Sequence, residues 1–487
     1  MKKFLLIGAT ALMVSNSTFA GGILTNTNQN AAYLRNPARD AVIAIDGVYS
    51  NPAGIAFLPQ GFHLSVSWQA AWQKRQIDAT GQMLMMNAKN PSTERYFEGV
   101  AKAPVIPSFQ AAYVINDKWS VSAQFAVGGG GGKCEFDNGL PMFEELIGGA
   151  VASNGGNSYE LNQQLIGKQY FYGFQVGATY RLADNFSVFG GLRGVLANCA
   201  YEGAITNIKA NGQSSAEYAA LSQQAAEGAK AAALEAAKYA AAGMATEAAQ
   251  YKAVAEQYAA AAVQAGTVAA MISDYNLDCS QSGFGITPII GLDWNLGKLN
   301  LAAKYEFRTK INLENDSKNS ANVDALMPAY ADGGKVRSDI PALLTLGAQY
   351  QITDAVRAMA GFHYYWDKDA KTGVAEENKY AITYGDNTWE ALLGIEWDVN
   401  DKIMLSCGAQ RTQYGFDNDD MSDISFNVPN YGVCIGGAYK FSEKMKLNVG
   451  YMHSFYEDHE VKSNVGAITR NYTRKNDVVG VSLDIAF

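Results

Sequence analysis

The sequence lacks the features that mark enzymes and nucleic-acid-binding proteins. Beyond the first twenty residues, no apolar run is long enough to cross a bilayer as a helix. Histidine is scarce: His63, His363, His453 and His459 lie far apart, so each reads as a satisfied wall residue rather than a member of a ligand cluster. The five cysteines fall at none of the spacings of a metal site, and their odd number leaves at least one unpaired within the chain. No phosphate-binding loop and no catalytic-triad spacing is present, so neither a cofactor nor an enzymatic activity is expected. Charged residues make up only 17% of the chain, and a net charge of −9 argues against a nucleic-acid partner. No linker divides the 487 residues into soluble domains.

What is present begins with an export signal over residues 1–20. Lys2 and Lys3 are its basic start, Phe4 to Val14 its apolar run, and Thr18-Phe19-Ala20 its small-residue exit, so the mature chain is expected to begin near Gly21. Abundant glycine and tyrosine with low charge favour many short strands with aromatic ends. From Phe62 onward, Phe62, Leu64, Val66 and Trp68 alternate with His63, Ser65, Ser67 and Gln69. Period two with a single apolar side means a strand between an apolar and a polar medium. The signal recurs down to Val479, Val481, Leu483, Ile485 and Phe487.

Fourteen strands follow: 62–76, 107–115, 119–132, 170–182, 186–208, 279–295, 298–311, 339–352, 355–369, 384–399, 402–415, 430–441, 444–461 and 468–487. Tight turns such as Asn116-Asp117-Lys118, Asn400-Asp401-Lys402 and Ser442-Glu443-Lys444 alternate with long connections. An even strand number, with short turns on one side and long loops on the other, describes an all-β, 14-stranded antiparallel transmembrane β-barrel of a bacterial outer membrane. In lipid only a closed sheet satisfies the backbone with strands. A soluble β-sandwich leaves the export signal, the alternating loop lengths and the terminal aromatic unexplained together. The expected surroundings are outer-membrane lipid and, through the C-terminal Phe487, the barrel-assembly machinery, with the protein acting as a monomer.

Ahead of the strands, Asp40 to Leu58 is mostly apolar, carries Asp46, Ser50 and Asn51, and breaks at Pro52 and Gly54. It is too short and broken to span a bilayer and too apolar to lie free in water. Residues 21–61 therefore read as an N-terminal extension and a plug folded inside the barrel of residues 62–487; an ordinary first strand and turn is the plainer alternative. Within the barrel, 213–272 is alanine-rich and helical by propensity. Ser214 with Glu217 forms a capping box, Gly243 divides the run and Gly266 can end it. Two antiparallel helices are expected on the long-loop side, as a solvated stalk or as a binding element. Cys199 and Cys279 flank this insert on neighbouring strands with inward parity, and a bridge between them is expected. Cys407 faces lipid by parity and Cys434 the lumen.

The plug sequence Ala44-Ile45-Asp46-Gly47-Val48-Tyr49-Ser50-Asn51-Pro52-Ala53-Gly54, Ile340-Pro341 opening a strand, and Ile424-Ser425-Phe426-Asn427-Val428-Pro429-Asn430 resemble the FadL-type outer-membrane transporters of long-chain fatty acids and hydrocarbons. The resemblance covers the mature chain. It implies a hatch carrying Asp46, Gly47, Asn51, Pro52, Ala53 and Gly54 that blocks the lumen, and ligand exit sideways beside a kinked third strand. Here the third strand runs into Gly128, Gly129, Gly130, Gly131 and Gly132, which read either as that kink or as a flexible loop root. An apolar track would hold a hydrophobic ligand by area removed from water, about 25 cal/mol per Å². A fatty acid carboxylate would need a cation. Arg193, Lys304, Arg308 and Arg357 face inward by parity, with Glu306 a partner for one of them; each reads as a headgroup ligand or as a wall ion pair. Uptake would be passive and hatch-gated. A surface adhesin working through the helical insert is the alternative.

Overall fold

Continuous backbone pairing runs around the molecule in one antiparallel sheet of twenty strand segments. The computed structural model describes residues 24–376, 379–382, 385–416, 418, 421–462 and 468–487. The expected export signal lies outside the described residues. Strands β1 (Gly61–Thr80), β2 (Glu94–Val114), β3 (Trp119–Phe136), β4 (Tyr159–Ala183), β5 (Phe186–Ala210) and β6 (Tyr275–Leu296) are long. Each of the next four is broken once. They are β7 (Leu299–Glu306 and Asn312–Ser317), β8 (Lys335–Ser338 and Leu343–Gln351), β9 (Val356–Tyr365 and Thr372–Glu376) and β10 (Lys379–Ile382 and Thr388–Asp398). The wall continues with β11 (Ile403–Gln413), β12 (Asn430–Ser442), β13 (Met445–Tyr456 and His459–Lys462) and β14 (Thr469–Ala486). The remaining segment, Gln213–Ser214, belongs to the foot of the helical insert. Fourteen strands therefore make the wall, and β1 pairs with β14 from His63↔Ala486 to Thr80↔Thr469, which closes it and removes both edges.

The alternation read from the sequence sets the two faces. Ser65, Ser67 and Gln69 are buried toward the bore, while Val66, Trp68 and Trp72 are exposed on the outside. Gln175 inside lies between Phe174 and Val176 outside, and Glu396 inside between Ile395 and Trp397 outside. The outer band is apolar side chains over a backbone paired from strand to strand around the ring, the arrangement hydrocarbon requires. The break in β8 falls at Ile340-Pro341-Ala342, where Pro341 has no N–H to give the ladder. The neighbouring break in β7 is spanned by Thr309, whose N–H donates to the Ile340 carbonyl at 3.0 Å.

The strands also run further toward the long-loop end than the alternation shows. β2 begins at Glu94 and β4 at Tyr159, within stretches that read as loops. There the outer face carries Glu98, Lys102 and Lys168, so the apolar signal stops while the pairing goes on.

The bore is filled at both ends. Residues 24–58 occupy the short-turn end as α1 (Ala31–Arg35), α2 (Gly47–Ser50) and a 3₁₀ turn (Pro52–Phe57). The Asn30 side chain caps α1 at Ala32 N–H, and the Asn51 side chain caps the 3₁₀ turn at Gly54 N–H. Toward the long-loop end, the inner faces of β1–β6 form an apolar cluster with helix α3 (Pro141–Ser153) and the loop segment carrying Ile424, Phe426 and Val428.

The insert is a hairpin of α4 (Ser215–Ala241) and α5 (Ala245–Met271) on the long-loop side. Ser214 and Glu217 cap α4 reciprocally, and Gly243, at φ +78°, makes the turn. Gly266 does not end the second helix. A Cβ there would lie 3.1 Å from the Ser222 hydroxyl, so this glycine lets the two helices approach closely while α5 runs on to Met271.

Candidate functional site

The bore residues meet the N-terminal segment through charge and hydrogen bonding rather than apolar packing alone. Glu396 of β10 accepts from Arg35 at 2.5 Å, from Arg39 at 2.9 Å and from Arg357 at 2.8 Å. Arg39 also forks onto Asp46 at 2.5 and 2.8 Å, closing a loop within the segment. Burial alone would raise the Asp46 carboxyl, but the Arg39 fork holds it below the usual carboxylate range. Further along the same pair of strands, His363 of β9 sits between Asp40 at 3.0 Å and Glu390 at 2.9 Å, and Tyr365 donates to the same Glu390 carboxylate.

Asn51, Pro52, Ala53 and Gly54 lie against β4, β5 and β6. The Asn51 amide donates to Asp293 at 2.5 Å, Thr179 donates to the Pro52 carbonyl at 2.9 Å, and Ser187 to the Ala53 carbonyl at 2.7 Å. A Cβ on Gly54 would meet the Asn51 amide at 2.4 Å, so only glycine fits beside that cap. At Gly47 a Cβ would meet only ordinary contacts, the nearest 3.5 Å away at the Val42 carbonyl.

The glycine run sits where the wall is interrupted. β2 and β3 pair at Ala101↔Cys134 and again only from Ser108↔Ala126, and the β3–β4 register slips on both sides of Gly129. Gly130 and Gly132 take φ of +81° and +71°, a conformation costly for other residues. The inner side of this interruption is covered by the N-terminal segment: Asn26 N–H donates to the Gly128 carbonyl at 3.1 Å, and a Cβ on Gly129 would meet the Leu24 carbonyl at 2.0 Å.

Of the four cations singled out by strand parity, two come together. Arg193 and Lys304 both bind Glu306, at 2.6 and 2.7 Å, and both lie over the Tyr49 ring, at 5.2 and 3.9 Å from its centroid. Lys304 also donates to the Tyr49 carbonyl at 2.8 Å. A small cavity of about 10 Å³ joins Arg193 and Glu306 to Gly128 and Thr25. Arg357 stands apart at Glu396 and Asp398, and Arg308, in the β7 break, pairs with Asp339 at 3.6 Å.

The expected Cys199–Cys279 bridge is absent, and both thiols are free. Cys199 stands opposite Gln281 and Cys279 opposite Tyr201, so the two are diagonal neighbours, and a diagonal pair is too far apart for a disulfide without backbone movement. Cys407 is exposed on the outer face and Cys434 is buried inside.

Sequence reading missed Arg35, Arg39, Glu396, Asp40 and Glu390. The two arginines precede the stretch read as the plug, and the carboxylates matter only through long-range contacts. It also passed over Arg75, although Arg75 shares parity with Ser65, Ser67 and Gln69.

A closed fourteen-stranded wall, an N-terminal segment plugging its bore, and a break in the third strand beside that plug form a distinctive combination. The fold is that of the FadL-type transporters. A FadL homologue from Pseudomonas aeruginosa superposes with a TM-score of 0.64 at 14% identity, over 96% of this chain and 100% of that one. The toluene transporter TodX of Pseudomonas putida gives 0.53 at 15% identity, over 91% and 94%. The toluene transporter TbuX of Ralstonia pickettii gives 0.50 at 12% identity, over 93% and 98%. No protein-family model matches the sequence, and no curated protein matches it. Here residues 24–58 fill the short-turn end of the bore.

Proposed function

We propose that this protein is a passive outer-membrane channel for hydrophobic small molecules, with long-chain fatty acids the favoured class. In this reading, ligand enters at the long-loop end, displaces apolar side chains of the upper bore, and leaves sideways between β2 and β3 when the hatch end at Leu24 to Asn26 moves. The observation that carries the reading is the coincidence of the β2–β3 interruption with that hatch end: Asn26 closes on Gly128 at the place where the wall has lost its pairing. The similar folds of a FadL homologue and of two toluene transporters support the ligand class. Gating requires ligand to bind the open hatch better than the closed one.

The test is a reversible lock. The Asn28 amide donates to the Gln69 side chain of β1 at 3.2 Å, so Asn28→Cys with Gln69→Cys places two thiols across the hatch–wall boundary. Oleate uptake by cells should fall when the pair is oxidised and recover on reduction; uptake unaffected by the lock rejects hatch gating. Assembly in the outer membrane is proposed to use the C-terminal Phe487, which is exposed and whose N–H donates to the Phe62 carbonyl at 2.8 Å. Removing Phe487 should lower the yield of folded barrel, scored by its shifted gel mobility.

A further inference from the structure

The cations expected from strand parity are already neutralised by wall carboxylates. Arg75 on β1 is different. It is 1% exposed, and among the described residues no carboxylate pairs with it. Its Nη1 donates to the Ile424 carbonyl at 3.0 Å and its Nε to the Gln73 amide oxygen at 3.3 Å, both neutral acceptors. Its Nη2 is buried with no hydrogen-bond partner. Directly opposite in the β1–β14 register stands a second buried guanidinium, Arg474, which lies 4.9 Å over the Phe426 ring.

Two like charges facing each other across a strand pair repel, and an uncompensated guanidinium in an apolar interior is costly. The buried Nη2 of Arg75 is left with an unused donor. Arg75 also lines a cavity of about 20 Å³ among Phe136, Leu165, Leu277 and Tyr330, with Gly132 at its margin. That volume admits about one water-sized group without movement of the lining side chains. The surroundings of a head group there would be the apolar cluster of the upper bore, which a tail could enter by displacing side chains. Gly132 places the cavity at the end of the wall interruption.

We propose that Arg75, with Arg474 beside it, binds the anionic head of a single-chain amphiphile, a carboxylate or a phosphate monoester, whose tail lies among Phe136, Leu165 and Leu277. This rests on the bore being a pathway for hydrophobic molecules, and it puts the head-group site on the β1–β14 side rather than at Arg193. The unpartnered Nη2 supplies the donor that meets the head, and the charge of the guanidinium strengthens that hydrogen bond. A hydrocarbon gains nothing from Arg75, and an alcohol can accept one hydrogen bond from Nη2 but brings no opposite charge, so the site favours an anion.

The experiment compares palmitate, hexadecyl phosphate and hexadecanol binding to the full-length barrel in nanodiscs by calorimetry. The wild-type protein should bind at least one anionic probe about tenfold or more tighter than hexadecanol. Arg75→Gln should bring that ratio near one without weakening hexadecanol. The stronger of palmitate and hexadecyl phosphate identifies the head. An unchanged ratio in Arg75→Gln overturns the site while leaving the transport reading in place; failure of the wild-type protein to bind any of the three overturns both. A second measurement needs no variant. Palmitate carrying a diazirine next to its carboxyl should cross-link the wild-type protein at peptides around Arg75, Ile424 and Arg474, and cross-links confined to strands around Arg193 overturn the assignment.

Discussion

Asn26 donates its backbone N–H to the carbonyl of Gly128 at 3.1 Å, so the leading end of the N-terminal segment is hydrogen-bonded to β3 where its pairing with β2 is interrupted. The wall interruption and the N-terminal segment are thus in direct contact. Loosening either should be felt at the other.

Gly129→Ala tests that contact. The added Cβ would stand 2.0 Å from the Leu24 carbonyl and 3.3 Å from the Phe171 Cβ, so backbone must move. Overpacking of this kind costs about 1–3 kcal/mol. The expected result is a folded barrel with a displaced hatch end and a severalfold higher leak of small solutes in planar bilayers. Wild-type conductance in the variant would show that the hatch end does not seal the interruption.

Glu396→Gln removes the shared counter-charge of Arg35, Arg39 and Arg357, all held within hydrogen-bond distance of one buried carboxylate. Breaking a buried pair on one side costs about 3–5 kcal/mol. Urea unfolding in lipid vesicles should show a lower midpoint, and limited proteolysis should cut after Arg35 and Arg39, which are protected in the wild type.

Unreduced, denatured protein should titrate as five thiols, since Cys134, Cys199, Cys279, Cys407 and Cys434 are all free. In the folded barrel only Cys407, on the outer face, should react quickly with a lipid-soluble maleimide. Three thiols after denaturation would restore the Cys199–Cys279 bridge.

The helical insert should be separable from uptake. Deleting 213–272 is expected to leave oleate uptake and barrel mobility intact while removing most helical circular dichroism; loss of surface interactions with uptake unchanged would give the insert its own role. Within the insert, the Ser214 N–H, donating at 2.7 Å, and the Ser214 hydroxyl hold the Glu217 carboxyl below the usual glutamate range. A depressed carboxyl stabilises above its unfolded pKa and loses that contribution as pH falls through the folded one. Protection of the first-turn amides of α4, corrected for the intrinsic pH dependence of hydrogen exchange, should therefore be high at neutral pH and fall on acidification through and below the ordinary glutamate range; Glu217→Gln should be weakly protected at both.

Much of the wall was legible because lipid and bore impose opposite chemistry on neighbouring residues. Phe62 to Gln69 and Val479 to Phe487 declare their faces with no knowledge of their partners. The signal fails where both faces are wet, which is why the upper parts of β2 and β4 read as loops. It fails again where meaning lies in long-range company. Arg193 has the right parity and Glu306 was legible as a partner for one inward cation, yet nothing local shows that it takes both Arg193 and Lys304. Arg75 has the same parity, and only the folded bore shows that it meets Ile424 and Gln73 rather than an acid. Asp40, His363 and Glu390 are separated by hundreds of positions or lie on different strands, and their alignment is a property of barrel register alone.

The seam between β1 and β14 joins the first strand made to the last. Until residues 469–486 are in place, the ring stays open, and the arginines of α1 and its neighbouring turn have only water around them. In the closed ring Arg35 and Arg39 have left water and lie on Glu396, so burial of the leader is expected to accompany the drawing shut of the hoop. Biogenesis thus has a direction: an intermediate stalled before its final strand should hold an unplugged, trypsin-sensitive leader, and completing the circle should bury it in one step.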